Sequence, residues 1–147
     1  MNNIYMKEAL IEAQKAFELD EVPIGCVIVE NDKIIARGHN LREMTQYSTK
    51  HAEIVAIEAA CEELGSWRLE NCDIYVTLEP CPMCAGAILQ SRIKNVIYGA
   101  SDYKGGALGS CFNMFEISGF NHYPTITKGI MEEECSEILK KFFKSKR

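Results

Sequence analysis

The sequence predicts an α/β domain, a mixed β-sheet with helices on both faces. Three observations carry that prediction. Apolar residues recur at helical spacing near the N-terminus, two short apolar runs flank "END", and a strand–helix–strand succession fills residues 73 to 100. A chain of 147 residues, 47% of them apolar, suits one such domain, because at this length folding removes about 68–70% of the unfolded surface from water.

Taken in order, residues 3 to 19 place Met6, Ala9, Leu10, Ala13, Ala16 and Phe17 on one helical face. "PIGCVIV" and "KIIARG", separated by "END", read as an antiparallel hairpin. Residues 51 to 64 form a largely apolar helix, and Gly65 is placed to cap its end. "DIYVTLEP" is a buried strand ended by Pro80, "MCAGAILQSR" a short helix, and "NVIYGA" another strand. That succession implies a parallel pair joined by a right-handed crossover. Residues 101 to 124, rich in Gly, Ser and Asn, read as loop with short helical turns. "PTITKG" adds an edge strand before a C-terminal helix from about Met131. The sequence contains no internal repeat, low-complexity tract or linker.

Composition narrows the classes of function. No apolar run approaches the roughly 20 residues of a membrane span, so no membrane role is expected. "MNNIYMKEAL" lacks a basic segment followed by an apolar one, so no export signal is expected and the cytoplasm is the expected compartment. Seven cysteines, an odd number without an export signal, favour metal binding or burial over a disulfide framework. The net charge of −5 argues mildly against nucleic acid, and no DNA partner is expected. "KKFFKSKR" nevertheless closes the chain with clustered basic residues around two phenylalanines, and local charge is what a phosphate-tracking surface needs.

The chemistry concentrates in two short stretches. His51 and Glu53 sit two apart, which on a regular helix separates them by about 200°, so they cannot share a flank. In the first turn, however, both side chains can point past the helix end and converge in front of it. Cys81 and Cys84 repeat the device: Pro80 ends a strand, Pro82 suits an opening helical turn, and the i, i+3 spacing sets both sulfurs on one side. Two positive helix ends would then face one site and lower thiolate pKa. One His and two Cys make a tetrahedral zinc site with an open fourth position, the arrangement of catalytic zinc. Glu53 would lie outside the ligand set and take and return a proton. An H-x-E alone is more often an ordinary helix start, and a C-P-x-C alone could be redox-active; the combination, joined by a strand, outweighs both.

With these residues in place, "HAEIVAIEAA" and "TLEPCPMCAGAI" resemble the zinc nucleoside and nucleobase deaminases. Within them the chain is similar, nearly end to end, to the bacterial tRNA-specific adenosine deaminases. The similarity also runs through "EVPIGCVIV", "HN" at 39–40, "GSWRLENC", "SRI", "YGASDYKGGALGS", "FNH" and the final "FF". The resemblance implies a three-layer α/β/α sandwich with a mixed central sheet of about five strands, one deaminase domain over 1–147. It implies a homodimer with one zinc per subunit that converts adenosine to inosine at the wobble position of a tRNA anticodon stem-loop. By the same resemblance His51, Cys81 and Cys84 bind zinc and Glu53 shuttles protons. Asn40 holds the flipped base through its donor and acceptor, and Asp102 lies near the target ribose. Asn121, His122 and the Phe142–Phe143 pair contact neighbouring nucleotides, the rings by stacking. One of the two adjacent phenylalanines is expected to be buried; Phe143 is counted among the substrate contacts.

Two departures stand out. Pro-Thr-Ala commonly precedes the histidine, whereas Ser48-Thr49-Lys50 does so here, and Lys50 is expected to face solvent or an RNA phosphate at the pocket rim. Pro82 stands where Val is frequent, and "CPMC" also occurs among guanine deaminases, so free guanine is the alternative substrate. A small pocket closed by the chain's own C-terminus would favour guanine, and an open groove lined by Lys and Arg would favour tRNA. A third reading is a non-catalytic, zinc-stabilised RNA-binding module, against which Glu53 stands as a carboxylate without a structural duty. Cys26, Cys61, Cys72, Cys111 and Cys135 are expected to be buried small hydrophobes.

Overall fold

A computed structural model describes residues 3–146. Helix α1 (Ile4–Glu18) leads into strands β1 (Gly25–Glu30) and β2 (Lys33–His39). The short helix α2 (Arg42–Thr45) precedes α3 (Ala52–Leu64), then come β3 (Cys72–Leu78), α4 (Pro82–Gln90), β4 (Asn95–Ala100), β5 (Thr125–Thr127) and α5 (Glu132–Ser145). The five strands form one sheet in the order β2-β1-β3-β4-β5. β1 runs antiparallel to β2 and β3, whereas β4 runs parallel to β3 and β5. The hairpin, the parallel β3–β4 pair and the β5 edge strand therefore match the sequence prediction.

Alternation along the strands splits the core in two. Met6, Ala9, Val27, Val29, Tyr75, Ile97 and Cys135 pack α1 and α5 on one face. Cys26, Ile28, Ala56, Ile74, Val76, Ile88 and Val96 pack α3 and α4 on the other. This is the three-layer α/β/α sandwich, and successive side chains pointing to opposite faces produce it. Turn residues Asn31 and Asp32 both have positive φ (50° and 61°), as a two-residue hairpin turn matching the strand twist requires. Gly65 ends α3 with φ 62°.

Three differences from the sequence reading are small but physical. His51 is the N-cap of α3 and not its first helical residue. α4 begins at Pro82 and ends at Gln90, because proline's fixed φ suits the first helical position. Cys111 is exposed and Cys61 half-buried, whereas Cys26, Cys72 and Cys135 are buried; Cys111 sits on the 101–111 loop, its thiol donating to the Tyr103 carbonyl at 3.3 Å. Among the described residues, no helix is long and apolar enough to cross a membrane.

Candidate active site

Two helices start at the same place. His51 caps α3 and Cys81 caps α4, both with extended backbone (ψ 158° and 175°), which turns each side chain ahead of its helix. Gly38 lets α3 begin hard against β2: a Cβ there would lie 2.5 Å from the Ala52 carbonyl oxygen. Pro82 fixes the opening turn of α4, so Cys84, three residues past the cap, brings its sulfur beside that of Cys81.

His51 Nδ1 lies 3.6 Å from Cys81 Sγ and 3.5 Å from Cys84 Sγ. A tetrahedral zinc with sulfur at about 2.3 Å and nitrogen at about 2.0 Å requires a nitrogen–sulfur edge of about 3.5 Å. The three donors therefore already stand at ligand spacing, all within 4.8 Å of one another. No other such group of metal-ligating side chains occurs among the described residues. A hydrogen bond from the Cys84 thiol draws Cys81 down to about 4 against its burial, and His51 adds to the effect. Cys84, the donor, is pushed up, and the bond to Cys81 raises His51. The thiolate is the form in which a cysteine binds a metal, so Cys81 already carries the ligating charge.

Glu53, 4% exposed, stands behind these ligands in the first turn of α3. Burial pushes its carboxyl up to about 7, opposed by a hydrogen bond from its own backbone, and it shares a further hydrogen bond with Cys84. A carboxyl that titrates near neutrality both takes and returns a proton.

A cavity of about 830 Å³ opens in front of His51. Its lining comes from Val22, Ile24, Asn40 and Arg42, from Ser101, Asp102, Tyr103 and Lys104, and from Leu139 and Phe143 of α5. Asn40 is 6% exposed and held by both ends of its amide: Nδ2 donates to the Val22 carbonyl at 3.3 Å, and Oδ1 accepts from the Arg42 N–H at 3.1 Å. Each end keeps one further hydrogen-bonding position. Asp102 Oδ1 accepts from the N–H groups of Lys104 and Gly105 at 3.1 and 3.2 Å. Phe142 is buried, edge-on to Phe17 at 5.7 Å, and Phe143 is half exposed on the cavity, so the pair divides as expected. α5 thus supplies one part of the lining, and Arg42 and Lys104 are the cations among the lining residues.

The structure does not bring Asn121 and His122 to this cavity. Asn121 is exposed before β5, and His122 Nε2 donates to the Ile93 carbonyl at 2.7 Å. Lys50 faces solvent and not the cavity: its ammonium pairs with the exposed Glu58 at 2.9 Å on the flank of α3 and is not among the cavity residues.

Sequence reasoning missed four participants. Arg42 and Lys104 each lie two residues past a predicted contact, which was the available signal. Glu21, 1% exposed, pins α2 by accepting the N–H groups of Glu43 and Met44 at 2.9 and 2.6 Å. Glu79, 2% exposed, accepts the N–H groups of Asp102, Leu108 and Ser110, each at 3.0 Å, and the Ser110 hydroxyl. Burial would raise the Glu79 pKa, but these four bonds outweigh it and hold the carboxyl below its ordinary value. A carboxylate between an apolar strand and a proline was the signal here.

The family model of the MafB19-like deaminases matches residues 1–147. The chain is 53% identical over 146 residues to a tRNA-specific adenosine deaminase of Bacillus subtilis, covering 99% of this chain and 91% of that protein. It is 48% identical over 143 residues to one of Haemophilus influenzae, covering 97% and 83%. A solved structure from studies of A-to-I editing by tRNA:A34 deaminases at the wobble position superposes with a TM-score of 0.90 and 47% identity, over 93% of this chain and 99% of that one. A guanine deaminase from Bacillus subtilis is 40% identical, with a TM-score of 0.65 over 69% of this chain and 66% of that one.

Proposed function

The chain belongs to the tRNA-specific adenosine deaminases within the MafB19-like deaminase family, and from that we propose that it hydrolyses adenosine to inosine at the wobble position of a tRNA anticodon loop. The observation that carries this assignment is the near full-length similarity to named tRNA-specific adenosine deaminases, 53% over 99% of the chain. A donor set at ligand spacing whose His51 lines a cavity that Arg42 and Lys104 also line, with the buried Glu53 two residues on, supports it.

The donors fit zinc, and His51, Cys81 and Cys84 would hold one ion per subunit. Bound there, zinc would supply the Lewis acidity that makes water nucleophilic near neutral pH. Glu53 moves a proton from the attacking water to the leaving amino nitrogen. Asn40 presents its remaining donor and acceptor to the purine edge and fixes the base's angle of entry. Unstacking the target adenine costs a few kcal/mol, least in a loop, which suits an anticodon. Asp102 faces the ribose, and Phe143 offers a ring on which an adjacent base stacks. Asn121 and His122, away from the cavity, contact anticodon nucleotides beyond the one being edited. The enzyme acts as one domain, as a homodimer and in the cytoplasm.

Inosine formation is measured in an anticodon stem-loop with adenosine at the wobble position. Glu53→Ala is the control, and free guanine, adenosine and cytidine are assayed in parallel. Editing at that single position, lost in the control, is the expected result. Ammonia release from free guanine without editing would move the protein to purine salvage. Full zinc occupancy with no turnover of any substrate would make it a binding module.

A further inference from the structure

Glu79 stands where two parts of the site meet. It lies two residues before Cys81, just past the end of β3, and its carboxylate accepts four hydrogen bonds from the loop that supplies Asp102 and Lys104 to the cavity. The bonds divide by oxygen. Oε1 takes the Asp102 N–H and the Ser110 hydroxyl, while Oε2 takes the N–H groups of Leu108 and Ser110. Gly106 completes the fit, since a Cβ there would lie 2.3 Å from the carboxylate carbon. A buried charge is costly unless its hydrogen-bonding capacity is filled, and a loop needing only a turn could close on its own backbone.

We propose that Glu79 is a positioning residue for substrate: it fixes the Asp102 wall of the cavity to the strand that delivers Cys81, so that nucleotide and metal ligands share one frame. The proposal rests on the deaminase assignment above. Through Asp102 the constraint extends further, because the Asp102 carboxylate in turn holds the N–H groups of Lys104 and Gly105. One buried side chain thereby sets the backbone of two cavity residues, Asp102 and Lys104.

Glu79→Gln separates this role from general support of the loop. An amide has one acceptor oxygen, so its NH2 group must replace one carboxylate oxygen. On the Oε2 side it would meet two backbone N–H groups, neither of which can accept. On the Oε1 side it meets the Ser110 hydroxyl, which can turn and accept, and only the Asp102 N–H is opposed. The second orientation is the less costly, and it releases Asp102 alone.

The test is Glu79→Gln with three readouts: zinc content, amide hydrogen exchange and stem-loop kinetics. Zinc content should be unchanged. The Asp102 amide should exchange at least about tenfold faster, the consequence of losing one hydrogen bond to a charged group, while Leu108 and Ser110 stay protected. KM for the stem-loop should rise about tenfold with kcat nearly kept, since binding geometry and not the proton shuttle is altered. Glu79→Asp keeps the charge but withdraws both oxygens by one methylene; if the glutamine variant does not fold, it is read by kinetics and zinc content alone, with KM raised and zinc content unchanged. Equal loss of protection at Asp102, Leu108 and Ser110 would overturn the proposal, as would lost zinc with KM unchanged. Exchange and zinc content are read without substrate. A wild-type protein that edits no stem-loop therefore defeats the deaminase assignment separately, while uniform exchange defeats the role of Glu79.

Discussion

At the floor of the site, in the donor cluster, His51 and Cys81 take their positions from the caps of their own helices, whereas at its mouth Asp102 takes its position from a carboxylate 23 residues away in sequence. The floor is local: a helix start, a proline and a short spacing place each donor. The mouth is assembled from α2, the 101–110 loop and α5, held by Glu21, Glu79 and the packing of Phe142. Local placement makes the floor rigid and all-or-none in its response to change. Distributed placement makes the mouth gradable, which suits a surface that must accommodate an RNA.

The largest effect is expected at the floor. His51→Ala leaves two sulfurs without the nitrogen that completes their spacing, so zinc content should fall to background and inosine formation with it. Chelation of the wild type should lower its melting temperature, because an ion bound only by the folded state stabilises that state. A variant that keeps full zinc would show that another residue supplies the third donor, and the local account of the floor would fail.

Arg42→Ala and Lys104→Ala test the mouth. Each removes a cation lining the opening and leaves the ligands and Glu53 in place. RNA affinity should fall severalfold for every sequence tested, and the log–log dependence of affinity on salt should shallow by about one per residue. An unchanged salt slope would mean that these cations face the cavity without meeting phosphate.

A smaller effect is expected where the mouth is braced from across the sheet. Glu12, 3% exposed, bonds Lys15 at 2.7 Å, His39 Nδ1 at 2.9 Å and Arg37 at 3.4 Å, and His39 precedes Asn40. Burial raises the Glu12 pKa, but the bonds from Lys15 and His39 outweigh it and leave the carboxyl below its ordinary value. A lowered native pKa stabilises the fold above the unfolded value of about 4.3 and ceases to do so as pH falls through the native one. Glu12→Gln should therefore cost about 1–3 kcal/mol at pH 7, and the gap to wild type should close only as pH falls below the ordinary glutamate range and through the lowered native value. A gap that persists in acid would assign the loss to packing and not to charge.

The same contrast explains what the sequence disclosed. The sandwich was legible because each strand alternates between two cores, and the His51, Cys81 and Cys84 donor cluster because its geometry is written in neighbouring residues. Asn40 and Asp102 were reached through family likeness alone. Glu21 and Glu79 were not reached, because a buried carboxylate that holds a distant loop has no periodicity to announce it, and Arg42 and Lys104 were not reached although each lies two residues past a predicted contact. Phe142 and Phe143 show the boundary well. Adjacency on a helix says that one is buried, but only the packing of Phe17 against α5 says which.

Lys50 carries the smallest expected effect and sharpens the contrast most. Its side chain points outward to Glu58, while its backbone belongs to the site: the Lys50 carbonyl accepts the Leu41 N–H at 3.0 Å, joining the Asn40 wall to the start of α3. Position 50 thus serves through main-chain atoms that any residue with this backbone supplies, which explains how a cation can stand beside a metal ligand. Lys50→Ala should leave the melting temperature, zinc content and stem-loop KM unchanged, because an exposed ion pair contributes little. Lysine-dependent RNA affinity at low salt would instead place the ammonium on a phosphate in the complex, with the Glu58 pair broken to reach it.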